Sequence, residues 1–228
     1  MSNQLMLHQE VVLLALRDDK GTFSSGMYLY SVAGSMLSEL LLQQRIITND
    51  DKNQTVAVID GSKTGCEVLD ELLTEIDQCK KHKGLQDWVY HAAQMKKLNH
   101  RLAESLCEMG ILKKEVGKIL FVFTRTTYPE LEGSYEDAIR RRMSDVMFQK
   151  GAKADSRTGV LIALALHGSL LDRNFAPDEL SQHQERIKEI AEGQHLAADA
   201  TQAAIAAVQT AINAALIAST VATTAAIN

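Results

Sequence analysis

Leu29, Val32, Met36, Leu37 and Leu40 recur at three- and four-residue spacing, which predicts a helix starting near Ser24 or Ser25 with one buried face. Before it, Gln4 to Leu16 carries the apolar run Val11 to Leu16 and predicts a first helix. That helix stops at Arg17-Asp18-Asp19-Lys20-Gly21, where Gly21 can take the left-handed conformation. After Arg45 the period changes: Ile46-Ile47, a polar turn through Asn49, Asp50, Asp51, Lys52 and Asn53, then Thr55 to Ile59 predict a β-hairpin. A related order of helix, paired aliphatics, Lys-rich turn and strand returns at Leu102 to Leu106, Gly110-Ile111-Leu112 and Ile119 to Phe123. An internal repeat and the general likeness of helix-to-strand junctions explain it equally well.

Between these units, Val68 to Ile76 predicts an amphipathic helix, and Trp88 opens a longer one ending at Gly110. Beyond Pro129 the pattern predicts three more helices. Val160 to Leu166 is apolar enough to be the central buried one, and Asn174-Phe175-Ala176-Pro177 breaks the chain before a charged helix from Asp178 to about Glu192. The expected fold is mainly α: a single helical domain over residues 1–199 with one or two short β-hairpins, the first, Ile46 to Ile59, projecting. Residues 200–228 form an uncharged Ala-rich tail whose stripe Ile205, Val208, Ile212 and Leu216 predicts a packed or self-associating helix. Ala, Thr, Gln and Asn dominate there, which argues against a bilayer span.

Composition adds limits. With 46% hydrophobic and 23% charged residues and a net charge of -5, the 228-residue chain has the make-up of a soluble globular protein. An acidic total opposes bulk nucleic-acid binding. Cys66, Cys79 and Cys107 are odd in number and form no C-x-x-C pair, so zinc and a full disulfide framework are not expected and a cytoplasmic setting fits. The N-terminus has no basic region before its apolar run, so no signal peptide is expected.

Candidate chemistry is sparse. Ile59-Asp60-Gly61-Ser62-Lys63-Thr64-Gly65 stands between a strand and a helix, but Lys63 follows Gly61 by two, so the loop lacks phosphate-cradling spacing. Thr64 as helix cap, with Glu67 three residues on, is the expectation there. The seven histidines lack the pairing that a helical metal site needs, His167 reads as a core or boundary residue, and no nucleophile turn is recognisable. No metal, no cofactor and no enzymatic activity are therefore expected.

Arg140-Arg141-Arg142 is the one feature that suggests a ligand, an anion. If Asp137 to Lys150 is helical, Ile139, Met143, Val146 and Met147 face the core, Arg141 lies opposite, and Arg140 and Arg142 flank it. Glu136 and Asp137, four residues before Arg140 and Arg141, and Asp145, four after Arg141, also allow a plain salt-laced helix.

Seven segments in order resemble the Golgi phosphoprotein 3 family: Val11 to Gly21, Leu37 to Ile46, Leu69 to Leu72, Trp88, Arg101 to Leu112, Thr126 to Pro129, and Ala138 to Arg142. The resemblance covers roughly residues 7 to 217. It implies a mostly helical domain, with a hairpin, here Asn49 to Asn53 at its tip, through which members oligomerise. It also implies a peripheral membrane protein that binds phosphatidylinositol 4-phosphate and, in eukaryotes, helps retain glycosyltransferases in the Golgi. In the register of the resemblance, the family's headgroup-contacting aromatic falls at Ser24, its first arginine at Ala33 and one later basic position at Ala138. Arg141 matches, with Arg140 and Arg142 beside it. The family's basic N-terminal segment is missing, so the chain is similar to short homologues found in bacteria. Three functional readings follow: a cytoplasmic or peripheral membrane adaptor for an anionic phospholipid, a self-associating interaction scaffold, and a winged-helix regulator opposed by the acidic charge.

Overall fold

A computed structural model describes residues 4–17, 21–23, 28–81, 83–119, 123–131, 133–196 and Thr210. It is mainly helical. Helices α1 (Leu7–Ala15), α2 (Tyr28–Leu42) and α7 (Ser156–His167) pack on one another at the centre. On one flank lie α3 (Glu67–Gln78), α4 (Leu85–Ala93) and α5 (Leu98–Glu108); on the other lie α6 (Ser134–Phe148) and α10 (Gln184–Ala191), with the short α8 (Leu171–Asn174) and α9 (Pro177–Gln182) leading into it. Three antiparallel pairs decorate the bundle: β1 (Leu16–Arg17) with β2 (Thr22–Phe23), β3 (Ile46–Thr48) with β4 (Val56–Val58), and β5 (Glu115–Ile119) with β6 (Phe123–Thr127).

The central helices are buried all round rather than along one stripe. Val160 to Ala165 are each at most 1% exposed, as expected of the predicted central helix. Asp155 starts α7 by accepting from Thr158 N at 3.0 Å, and Arg186 of α10 closes α6 by donating to the carbonyl of Val146 at 2.9 Å. One hydrophobic cluster runs from Leu5 to Ala191, with Trp88 and Tyr128 its largest fully buried members.

The first hairpin stands as expected, Ile46 opposite Val58 and Thr48 opposite Val56, with Asn49 to Asn53 exposed at its tip. Its return strand is anchored: Val56 N donates to Lys83 O at 3.1 Å and Leu85 N to Gln54 O at 3.2 Å. In the second hairpin, Ile119 ends one strand and Phe123 begins the next, so the predicted single strand over those residues is two strand ends.

Three local expectations change. The helix predicted from Trp88 to Gly110 is two helices, because Lys97 takes a left-handed backbone (φ 55°) between α4 and α5. The residue capping α3 is Cys66; Thr64 supports the turn by donating to Asp70 Oδ1 at 2.7 Å. The charged helix after Pro177 is broken at His183 into α9 and α10. The tail over residues 200–228 lies outside the described residues apart from Thr210, which is helical and buried.

Gly84 tests the anchoring of the first hairpin. A Cβ there would lie 2.5 Å from the Asn53 carbonyl oxygen, whereas the close approach of one at Gly159, also 2.5 Å, is to the end of the Leu196 side chain. Backbone cannot step aside as a side chain can. Gly84→Ala should therefore lower stability by about 1–3 kcal/mol in urea unfolding, and more than Gly159→Ala does. Equal stability of Gly84→Ala and the parent would contradict the anchoring.

Candidate functional site

Helix α1 buries polar side chains that its apolar neighbours do not call for: His8, Gln9 and Glu10 are all nearly inaccessible. Apart from Met6 N, which donates to Gln9 Oε1 at 2.9 Å, their partners come from distant sequence. Glu39 of α2, 1% exposed, receives a two-pronged contact from Arg157 of α7, each N–O distance 2.8 Å. The same carboxylate accepts from Leu7 N at 2.6 Å and from Gln43 Nε2 at 2.8 Å. Burial alone would raise the Glu39 carboxyl; the Arg157 fork, then the Leu7 and Gln43 donors, overcome it and hold it below the usual range. Glu10 accepts from Arg142 Nη2 at 2.9 Å through Oε1, but its Oε2 is buried without a partner, as is Arg142 Nε. With fewer donors to offset it, burial keeps the Glu10 carboxyl above its ordinary value. His8 completes the group, its Nε2 3.5 Å from Cys66 Sγ, and burial pushes its imidazole down from 6.5 to about 4.

This lattice divides the arginine triplet. The faces of α6 are as predicted, with Ile139, Met143, Val146 and Met147 buried and Arg141 exposed opposite them. Arg140 pairs with Glu136 and donates from Nε to Asn174 Oδ1 at 3.1 Å, with Asp137 3.8 Å away. Arg142 is turned inward to Glu10, its side chain 32% exposed. Arg141 has no ion-pair partner among the described residues: Asp137 faces Arg140, and Asp145 accepts from Gln149 at 3.0 Å.

Of the positions aligned with a headgroup site besides Arg141, two are described, and they differ in exposure. Ala33 is fully buried in α2, which packs on α1, α4 and α7, while α6 packs on α1, α7 and α10. Ala138 is exposed on α6, and Ser24 lies outside the described residues. Residues flanking Ser24 belong to an aromatic group that periodicity could not reveal. Phe23 stacks on Tyr28 at 5.6 Å and packs against His100 and Tyr128. Tyr28 accepts from Asn99 Nδ2 by its hydroxyl, and Lys96, Lys97 and His100 are exposed around the start of α5. Lys96 and Lys97 have no ion-pair partner among the described residues.

The clefts are shallow and mixed in charge. One of about 250 Å³ beside α6 sets Glu130, Glu136 and Asp137 against Arg140, a lining that suits no anion. Another of about 540 Å³ between α1, α3 and α5 carries Glu67, Glu104 and Glu108 around Arg101. Arg101 is committed there to Glu67 and Glu71. Among the described residues no three His, Cys, Asp or Glu side chains gather as metal ligands, and no helix is long and apolar enough to cross a membrane.

Fold and site together define a class: a mainly helical module, hairpin-bearing, held by an internal ion lattice and presenting a free guanidinium on a surface helix. The chain belongs to the Golgi phosphoprotein 3 (GPP34) family, which it matches over residues 7–214. It is similar to vacuolar protein sorting-associated protein 74 of Eremothecium gossypii, 29% identical over 170 residues, covering 65% of this chain and 51% of that protein. The protein of the same name from Schizosaccharomyces pombe is 26% identical over 174 residues, covering 67% and 51%. The chain thus spans about half the length of these curated relatives.

Removing one partner from the lattice leaves a buried charge alone, so Arg157→Met should cost about 3–5 kcal/mol, while Arg141→Ala should stay within about 0.5 kcal/mol. His8 adds a pH signature. Its folded pKa is depressed, so between 6.5 and about 4 the unfolded chain binds more protons and stability falls as pH drops through that window. His8→Leu should flatten that part of the stability profile measured by urea unfolding; an unchanged slope would contradict burial of the neutral imidazole.

Proposed function

We propose that this chain is a peripheral membrane adaptor that recognises an anionic phospholipid headgroup through Arg141. The observation that supports this reading most is the division of labour in the triplet: Arg140 and Arg142 are held by carboxylates, while Arg141 is exposed and unpaired among the described residues. A guanidinium fork matches phosphate oxygens and gains most where no carboxylate competes. Family membership supports a Golgi-type trafficking adaptor, and the relatives' names speak of vacuolar protein sorting. Phosphatidylinositol 4-phosphate is the headgroup that the family resemblance suggests. An adaptor of this kind needs no catalytic group, and the reading assigns none.

A second landing point for the headgroup is favoured by the surroundings of Ser24. Phe23 packs against Tyr28 and His100, and Lys96, Lys97 and His100 are exposed at the N-terminal end of α5, the end of a helix that favours an anion. Self-association is a further part of the reading. Ile47 and Ile59, 42% and 54% exposed, flank the tip Asn49 to Asn53 and offer apolar surface to a second copy.

Co-sedimentation with vesicles of phosphatidylcholine containing phosphatidylglycerol or phosphatidylinositol 4-phosphate tests both landing points. Arg141→Glu should reduce bound protein several-fold, as charge reversal near an anionic surface removes about 1 kcal/mol or more of attraction. If Lys96→Glu/Lys97→Glu abolishes binding and Arg141→Glu does not, the headgroup lands at α5. Failure of the parent to bind either vesicle would remove the lipid reading altogether. Separately, deletion of Asn49 to Asn53 should lower the sedimentation coefficient if the first hairpin joins copies.

A further inference from the structure

We propose that Glu10 gates the arginine face of α6: protonation of its buried carboxylate frees Arg142 to turn outward beside Arg141, so that acid strengthens binding to an anionic surface. This inference rests on the reading of Arg141 as the lipid contact, and adds a control that neither the family nor the fold supplies. The geometry has three parts. Glu10 is 2% exposed and holds Arg142 by one contact, Nη2 to Oε1 at 2.9 Å. Its other oxygen, Oε2, has no partner, so a proton can be placed there without breaking any hydrogen bond. Arg142 itself is only half committed: Nε is unpartnered and the side chain already reaches solvent. Its neighbour in sequence is the free Arg141, on the adjoining face of the same helix.

The charges around Glu10 decide the direction of the switch. The strongest charge effects on Glu10 come from Arg142 of α6, Arg157 of α7 and Glu39 of α2, while His8 precedes it on α1 itself and α5, which also packs on α1, carries Arg101, Glu104 and Glu108. Arg157 is fully engaged by Glu39, so it cannot replace Arg142 as the partner of Glu10. Asp155, at the start of α7, lies near enough to attract Arg142 but is occupied by the Thr158 amide at 3.0 Å and by the Thr158 hydroxyl. Of the two lattice carboxylates, Glu39 is therefore the one held ionised by several donors, and Glu10 the one that yields first. Burial already favours its neutral form. Once neutral, it no longer compensates a guanidinium that has a path to water.

The contrast with Arg140 makes the gate specific to one side of the triplet. Arg140 is retained by the buried Glu136, the exposed Asp137 and the half-buried Asn174, and loses none of them when Glu10 is protonated.

The test is vesicle co-sedimentation of the full chain with phosphatidylglycerol-containing vesicles from pH 7.5 to 4.5, at constant ionic strength. For the parent, the bound-to-free ratio should rise about fivefold with acid, the increment expected of one more basic side chain at an anionic surface. Glu10→Gln should bind at pH 7.5 as the parent does in acid. The paired variant Glu10→Gln/Arg142→Gln, which replaces the ion pair by two amides of similar shape, should keep Arg141-dependent binding and lose the acid increment. Circular dichroism of each variant checks that the helices remain. An equal acid increment in the paired variant would come from histidine protonation and would overturn the gate, as would Glu10→Gln binding no better than the parent at pH 7.5. A readout without membrane separates the two ideas: in 13C-labelled protein the Glu10 carboxyl resonance should titrate together with faster exchange of the Arg142 Nε proton. If that coupling appears and Arg141→Glu leaves vesicle binding intact, the gate stands and the Arg141 reading falls. If Arg141→Glu abolishes binding and Glu10 does not titrate with Arg142, the gate falls alone.

Discussion

The contact between Glu39 and Arg157 ties together the three helices on which the others pack. Its carboxylate lies in α2, its guanidinium in α7, and the first amide of α1 donates to it. An ion pair this deep is not chosen for raw stability, since apolar residues of the same volume often do as well. What it adds is specificity. Three helices that are apolar nearly all round could slide or rotate against one another, and a fork with fixed donor directions admits one register.

The same lattice explains why a run of three arginines is not a three-pronged site. Consecutive residues on a helix point about 100° apart, so a triplet necessarily serves three environments. In α6 these are the carboxylates of Glu136 and Asp137, open solvent and the interior. The inward one, Arg142, meets Glu10, the less well satisfied of the two buried carboxylates. Charge density along the sequence therefore overstates the charge available to a ligand. A free guanidinium beside two neutralised ones suits recognition of a single phosphate better than broad adhesion to a charged surface.

Much of the fold was legible in the sequence wherever apolar spacing alone decides it. The buried face of α6, the burial of Val160 to Ala165 and the place of the first hairpin follow from helical period and strand and turn signals. What escaped was set by long-range pairing. Glu10 and Glu39 look like ordinary surface carboxylates until Arg142 and Arg157, more than a hundred residues away, are placed beside them. The break at Lys97 was hidden because a left-handed lysine carries no compositional mark, unlike glycine. Of the candidate site, the outward direction of Arg141 and the i,i+4 pairing of Arg140 with Glu136 were readable, but the commitment of Arg142 to Glu10 was not. The aromatic group of Phe23, Tyr28, His100 and Tyr128 escaped for the same reason: it gathers side chains from separate parts of the chain.

Carboxylates hold Arg140 and Arg142, which leaves Arg141 as the available guanidinium of the triplet among the described residues. Modification with an arginine-selective dicarbonyl at neutral pH, followed residue by residue by mass spectrometry, measures that availability directly. Arg141 should react fastest of the three, with Arg140 and Arg142 slower and Arg157 protected until the protein unfolds. Reaction of Arg142 or Arg157 as fast as Arg141 in the folded protein would contradict the account.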